Sequence, residues 1–325
     1  MVSIEADLPR AAHLNWEALA IELLKQSGAA LQSSSDIAFW RDWEALREDP
    51  FDDVYPELED FYGNEVVLSF LGRSHLGDVL CMTPLLRKLK EAYDCRVSIV
   101  RHRSTYKVLE NNPYVSRFFN DNRISLAECA RGPGHMIQKL ERYFGLEVSF
   151  RPKPEVYLSP QESHWAWQIR SMLPRNRPIA IVSMNSVTDN RVASNRNFEW
   201  QRWIDALSQR FIVVQPALTR IEPLEEVVRM HESHRRVWMP DQILDNVFVM
   251  ENLDTRKFMA LFSIADLYVG PNSSGAHLAA AFDVPALVVL NRRQYRSRIR
   301  FPDRITDNHW RHESFLYPYH SFIWR

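Results

Sequence analysis

The sequence predicts an α/β protein built on parallel sheets, and three observations carry that prediction. Short, largely apolar runs recur along the chain at Val66–Leu71, Arg96–Arg101, Ile179–Met184, Phe211–Val214, Leu267–Val269 and Leu287–Leu290. Strands that are apolar on both faces belong to sheets covered by helices on both sides. Between the runs lie segments of helical spacing, as at Leu76, Val79, Leu80, Thr83, Leu86 and Leu89. The joint between Leu267–Gly270 and the next helix is made of small residues, which let a ligand approach the backbone.

Residues 1–62 read as a helical N-terminal extension. It has a helical run His13–Leu24, a polar break Ser33–Ser35 that caps a second helix, and Trp40, Trp43 and Leu46 on one stripe of that helix. Such a stripe is packing surface, so the extension is expected to dock on the first domain or on a second copy, giving a homo-oligomer. Residues 63–157 form a first domain with strands Val66–Leu71 and Arg96–Arg101 and helices Leu76–Ala92, Thr105–Asn111 and Met136–Phe144. Between Phe118 and Gly134 the sequence offers little that reads as strand or helix, so this domain is expected to be shortened. Pro152–Pro154 and Ser159–Pro160 punctuate the passage to a second domain, 158–310, which holds the other four strands and helices Trp200–Gln209 and Thr255–Ile264.

A chain of 325 residues, 46% apolar, suffices for two domains with their own cores. Lys and Arg total 40 against 41 Asp and Glu, which argues against nucleic acid or an anionic membrane as partner and for a small, local one. Cys81, Cys95 and Cys129 have no CxxC spacing and are expected to be reduced. The HxxH pairs His231/His234 and His309/His312 lack carboxylate or thiolate partners in pattern, so no metal is assigned. No apolar run approaches the ~20 residues that span a bilayer, and Glu5 and Asp7 do not fit a signal peptide. The expected location is cytoplasmic, peripheral to the inner membrane face if the acceptor is lipid-linked.

Two strand-to-helix joints carry the candidate chemistry. Asp78 stands just inside the helix entered from the first strand, after Gly77. An acidic residue there commonly caps the helix, but the C-terminal edge of an open parallel sheet is also where ligands bind. Arg73, His75 and Gly77 share that loop as acceptor-side candidates, with His75 the next candidate base. At the second joint, Ser273, Ser274 and Gly275 open a helix whose unpaired amides face any anion, and His277 follows on its first turn.

Four segments together resemble a known family. Gly77–Asp78–Val79–Leu80…Thr83–Pro84, Asn112–Pro113–Tyr114–Val115, Asp266–Leu267…Val269–Gly270 and Ser273…His277–Leu278–Ala279–Ala280 are similar to the heptosyltransferases, glycosyltransferase family 9, of GT-B architecture. The resemblance runs from about Val66 to Val289. It implies two Rossmann-like domains facing a cleft and a C-terminal segment, 311–325, packing back on the first domain. It also implies inverting, metal-independent transfer of heptose or a related sugar from a nucleotide-diphosphate sugar, an ADP-linked one among the candidates, with no cofactor. Asp78 would be the base. Arg196, Phe198 and Trp203 hold the places of a family lysine, aromatic and tryptophan, so Arg196 would meet the diphosphate with Ser273, Ser274, Gly275 and His277. Asn272 stands where the family has an aspartate at the donor sugar.

The acceptor stays open between a glycan, a lipid-linked sugar, a protein and a small molecule. Arg292, Arg293, Arg296, Arg298 and Arg300 read equally as a phosphate contact and as a solvated basic loop. The competing reading is a non-catalytic sugar-nucleotide-binding or scaffolding protein, favoured by the shortened first domain, Asn272 and the extension. An epimerase lacks a further acid/base pair near either joint.

Overall fold

The computed structural model describes residues 31–32, 61, 63–69, 76–100, 107–119, 124–125, 135–184, 200–218, 245–290, 317 and 320–324. They build two sheets. The first has four parallel strands, β2 (Glu65–Ser69), β3 (Arg96–Val100), β4 (Val115–Phe119) and β5 (Ile124–Ser125), in the order β4-β3-β2-β5. The second has seven. β6 (Ile179–Val182), β7 (Ile212–Leu218), β8 (Phe248–Leu253), β9 (Leu267–Pro271), β10 (Ala286–Leu290) and β11 (Ser321–Trp324) are parallel, and β1 (Leu31–Gln32) adds antiparallel to β11. Their order is β1-β11-β10-β9-β6-β7-β8.

Helix α1 (Leu76–Tyr93) follows β2 and buries Leu80, Leu85, Leu86 and Leu89. Pro84 lies inside it and cannot donate to the Leu80 carbonyl one turn back. The Thr83 hydroxyl fills that vacancy at 2.7 Å and accepts the Glu155 amide at 2.7 Å, so the Thr-Pro pair keeps the helix whole and anchors the segment leaving the first half. Helix α2 (Met136–Tyr143) starts on His135, whose Nδ1 accepts the Ile137 amide at 3.2 Å. Its Glu141 is buried and accepts from the Ser149 amide and hydroxyl at 2.7 and 2.6 Å, with Lys88 at 2.8 Å. A buried carboxylate needs such partners.

Helix α3 (Pro160–Met172) crosses to the second half behind a capping box of Ser159 and Glu162. In the second sheet, helix α4 (Trp200–Ser208) covers one face, where Trp200, Trp203, Ile204 and Leu207 pack on Ala180, Val182, Val213, Leu267 and Val269. The other face carries α5 (Thr255–Leu261) and α6 (Ser274–Ala281). Its residues Ile179, Ile181 and Tyr268 belong to the same buried cluster as Leu68, Leu80 and Leu86 of the first half, so one core runs across both.

Several expectations are corrected. Ile124–Ser125 is a strand inside the Phe118–Gly134 stretch that reads as lacking one, and Val115–Phe119 is a further strand just before it. Thr255–Ile264 divides into α5 and a 3-10 turn, Phe262–Ile264, and in place of a helix at Thr105–Asn111 the described residues hold a 3-10 turn at 107–109. Leu31–Gln32 of the extension is a strand on the second sheet and does not lie on the first domain. The C-terminal segment divides: Tyr317 touches the first half, whereas Ser321–Trp324 is a strand of the second sheet. The His13–Leu24 run and the Trp40/Trp43/Leu46 stripe lie outside the described residues.

Candidate functional site

Each sheet reverses direction of growth at one place. In the first, the chain starts at β2, runs outward through β3 and β4, and returns to the other side of β2 with β5. In the second, β1 apart, it enters at β6, goes out through β7 and β8, and returns to β9 on the other side. Adjacent connections then leave in opposite directions and open a crevice at the carboxyl ends of the strands, where α/β proteins bind ligands. The Gly77–Asp78 joint follows β2, and the Asn272–Gly275 joint follows β9. Both candidate motifs therefore lie at a crevice.

The two joints are brought together. A Cβ on Gly77 would sit 2.7 Å from Cδ2 and 2.8 Å from Nε2 of His277, so the imidazole rests directly on the Gly77 backbone. One turn along α1, the Cys81 sulfur lies 3.6 Å from His277 Nδ1. Asp78, at the third position of α1, is half-buried beside this contact, and its charge adds to the burial that raises the Cys81 thiol.

The start of α6 is open in a specific sense. Ser273 is its N-cap in extended geometry, with no side-chain cap bond. The Ser273 carbonyl takes the Ala276 amide at 3.0 Å and the His277 amide at 3.4 Å. The Ser274 and Gly275 amides have no acceptor among the described residues, and such amides carry the positive end of the helix dipole. The Ser273 hydroxyl is instead 3.2 Å from the hydroxyl of Tyr268, which also reaches the Pro271 carbonyl at 3.4 Å. The Tyr268 ring runs past Gly270 and Gly275; a Cβ on Gly275 would meet ring carbons at 2.5 Å, and one on Gly270 a ring carbon at 2.7 Å. The small residues at this turn are thus required from beneath by a buried tyrosine. Asn272 and Ser274 are half-buried at the crevice.

His277, read in sequence as a diphosphate contact, is 3% exposed, and burial pushes its pKa down to about 3. It is neutral at pH 7 and offers no cationic charge. Its Nδ1 is 2.7 Å from the Tyr317 hydroxyl. Tyr317 also packs on His135 at 4.5 Å and on His320 at 5.1 Å between ring centres, forming a dry polar cluster that sequence reading missed. No local pattern could have found it, because its members come from three distant segments. The His135 ring accepts through Nδ1, which puts the neutral ring's proton on Nε2, where it has no partner among the described residues.

Other motif residues serve the scaffold. The Asp266 carboxylate accepts the Ile179 amide at 2.8 Å, pinning the start of β6, and Asn112 Oδ1 accepts the Tyr114 amide at 2.9 Å in the turn that enters β4. Trp203 is buried core. Arg73, His75, Arg196, Phe198, Cys129 and the Arg292–Arg300 cluster lie outside the described residues. Among the described residues, no group of three His, Cys, Asp or Glu is arranged to hold a metal, and no helix is long and apolar enough to cross a membrane.

No family model and no curated protein sequence matches the chain. Solved structures do. A glycosyl transferase family 9 structure from Veillonella parvula has a TM-score of 0.51 at 13% identity, over 79% of this chain and 94% of that one. The E. coli heptosyltransferase WaaC with ADP-2-deoxy-2-fluoro heptose has a TM-score of 0.45 at 12% identity, over 70% and 89%. The iron-containing dodecameric glycosyltransferase TibC from enterotoxigenic E. coli has 0.46 at 13%, over 70% and 59%. With the two parallel sheets and their facing crevices, the first of these likenesses identifies the fold: that of a family 9 glycosyltransferase structure.

Proposed function

We propose that the chain is an inverting, metal-independent glycosyltransferase that moves a sugar, heptose or a related one, from a nucleotide-diphosphate sugar to an acceptor hydroxyl. The observation that carries this reading is the contact of the two crevices: the helix bearing Asp78 and the helix with open amides touch through Gly77 and His277. Asp78 takes the proton of the acceptor hydroxyl as its oxygen attacks the anomeric carbon. The bond from that carbon to the diphosphate oxygen breaks on the opposite face, and the nucleoside diphosphate leaves with the electron pair. The Ser274 and Gly275 amides and the Arg196 guanidinium would stabilise the charge that develops on it. Donors already fixed in a helix need no reorganisation at that moment. Asn272 would bond a donor hydroxyl, and its amide in place of a carboxylate fits a donor preference that differs from heptose.

The test has two arms. A thermal-shift screen against ADP-, GDP-, UDP-, CMP- and dTDP-linked sugars is expected to give one class that raises the melting temperature, since a ligand of the native state stabilises it by mass action. With that donor, Asp78→Asn is expected to keep its affinity and lose about two to four orders of magnitude in turnover. Near wild-type turnover would make Asp78 a helix cap. Donor binding without transfer in the wild type would favour the scaffolding reading.

A further inference from the structure

His277 touches α1 on two successive turns, at Gly77 and at Cys81, so it sets the register of α1 against α6. On α1 the next residue after Gly77 is Asp78. One turn before His277 stands Ser273, the N-cap of α6. The imidazole is therefore within one turn of both the candidate base and the open helix start. What holds the ring is Tyr317: its hydroxyl lies 2.7 Å from Nδ1 and 3.8 Å from the Cys81 sulfur, and the two rings meet edge to face. Tyr317 is itself fully buried and packed on His135 at the start of α2, so it is braced by the first half while it holds a residue of the second.

We propose that Tyr317 is a positioning residue for transfer: through His277 it fixes the distance between the Asp78 carboxylate and the donor diphosphate. The role rests on the glycosyl-transfer reading above. It assigns His277 to geometry and leaves direct phosphate contact to the open amides at the start of α6. Displacements near 1 Å at a reacting centre cost on the order of a hundredfold in rate, so a strut of this kind acts on turnover far more than on donor binding.

The experiment compares Tyr317→Phe, His277→Gln and the double variant. It uses the donor from the screen, reads nucleoside diphosphate release against mixed sugar, lipid-linked sugar and peptide acceptors, and measures donor affinity by calorimetry. Tyr317→Phe keeps the ring and its packing and removes one oxygen. Each single variant is expected to lose about tenfold or more in turnover while donor affinity stays within about twofold, and the double variant to lose no more than the worse single, as residues acting in one chain do. His277→Gln carries the same expectation should Tyr317→Phe fold poorly. Unchanged turnover in both singles overturns the proposal. Losses that multiply in the double variant overturn the route through His277. An equal fall in donor affinity makes Tyr317 merely structural. A wild type that binds no nucleotide sugar removes the transfer reading, and the proposal with it, which is distinct from a working wild type with an indifferent Tyr317→Phe.

Discussion

Arg256 and Tyr317 both tie the second half of the chain to the first, one with a charged fork and the other with a neutral hydroxyl. Arg256, on α5, is 6% exposed and grips both oxygens of Glu162 on α3 at 2.6 and 2.7 Å. Its remaining donors reach the carbonyls of Tyr157 at 2.6 Å and Lys107 at 3.1 Å, so one guanidinium joins three segments. Burial works against the Glu162 charge, but Arg256 and the Ser159 amide more than offset it and hold the carboxyl below its usual range. The three imidazoles packed around Tyr317 are neutral at pH 7. Burial lowers His277, His320 and His135 alike, with repulsion from His277 adding to the other two. The fork is a fixed pivot, whereas the cluster changes its charge state on acidification.

The largest expected effect breaks the pivot. Arg256→Met leaves the Glu162 carboxylate with the Ser159 amide but without its cation, and takes the guanidinium from the Lys107 and Tyr157 carbonyls. Removing one partner of a buried pair costs about 3–5 kcal/mol. Arg256→Lys should recover less than half, since an ammonium cannot fork. Urea unfolding of the three proteins measures this, and equal midpoints would remove Arg256 as the pivot.

Acid should break the cluster next. A histidine with a lowered folded pKa is protonated first in the unfolded chain, so its stabilising effect is whole above about 6.5 and is lost as pH falls toward 3. Between pH 6.5 and 5, His277 and His320 should each cost about 2 kcal/mol. Of the charged groups around the cluster, Arg151 faces His320, Lys139 faces His135 and Asp78 faces Cys81. A melting temperature flat from pH 7 to 5 would contradict this, and His320→Asn should flatten part of the slope.

A smaller effect sharpens the contact at the joint. Gly77→Ala gains about 1 kcal/mol of helix propensity but drives a methyl group into an imidazole pinned by Tyr317, and overpacking costs about 1–3 kcal/mol. The net expectation is modest destabilisation, relieved when His277→Ala is combined with it. Smallest of all is Arg117→Ala. Arg117 pairs with Glu65 at the exposed edge of the first sheet and holds its pKa at about 2, yet an exposed pair is screened by water and salt. Its melting temperature should match the wild type, in contrast with the fork.

The same contrast explains what the sequence discloses. β6, β9 and β10 are buried along their length and read directly as apolar runs. Among the described residues β4 and β8 are edge strands with a neighbour on one side only, and VSRFF and FVMENL alternate or mix accordingly. The capping box at Ser159–Glu162 was a readable helix start, masked by its prolines. The small residues at 270–275 read as a strand-to-helix joint, which the structure resolves into the end of β9, a bend at 272–273 and the start of α6, but Tyr268, which requires them, looks like any strand residue. His277 was visible as a polar group on a first turn. Its neutrality follows from Gly77, Cys81 and Tyr317, none of which is near it in the chain.

One pairing bears on how the protein is made. Leu31 lies opposite Ile323, and Leu287 beside Ser321, so β11 fills the place between β1 and β10. On the ribosome, the edge of Ala286–Leu290 stays uncovered until residues 321–324 emerge, and Leu31–Gln32 waits for the same residues. Contacts of such sequence separation form late and slowly. The sheet of the second half is therefore finished last, from both ends of the described chain at once, and an unpaired β10 is the aggregation hazard of the nascent protein.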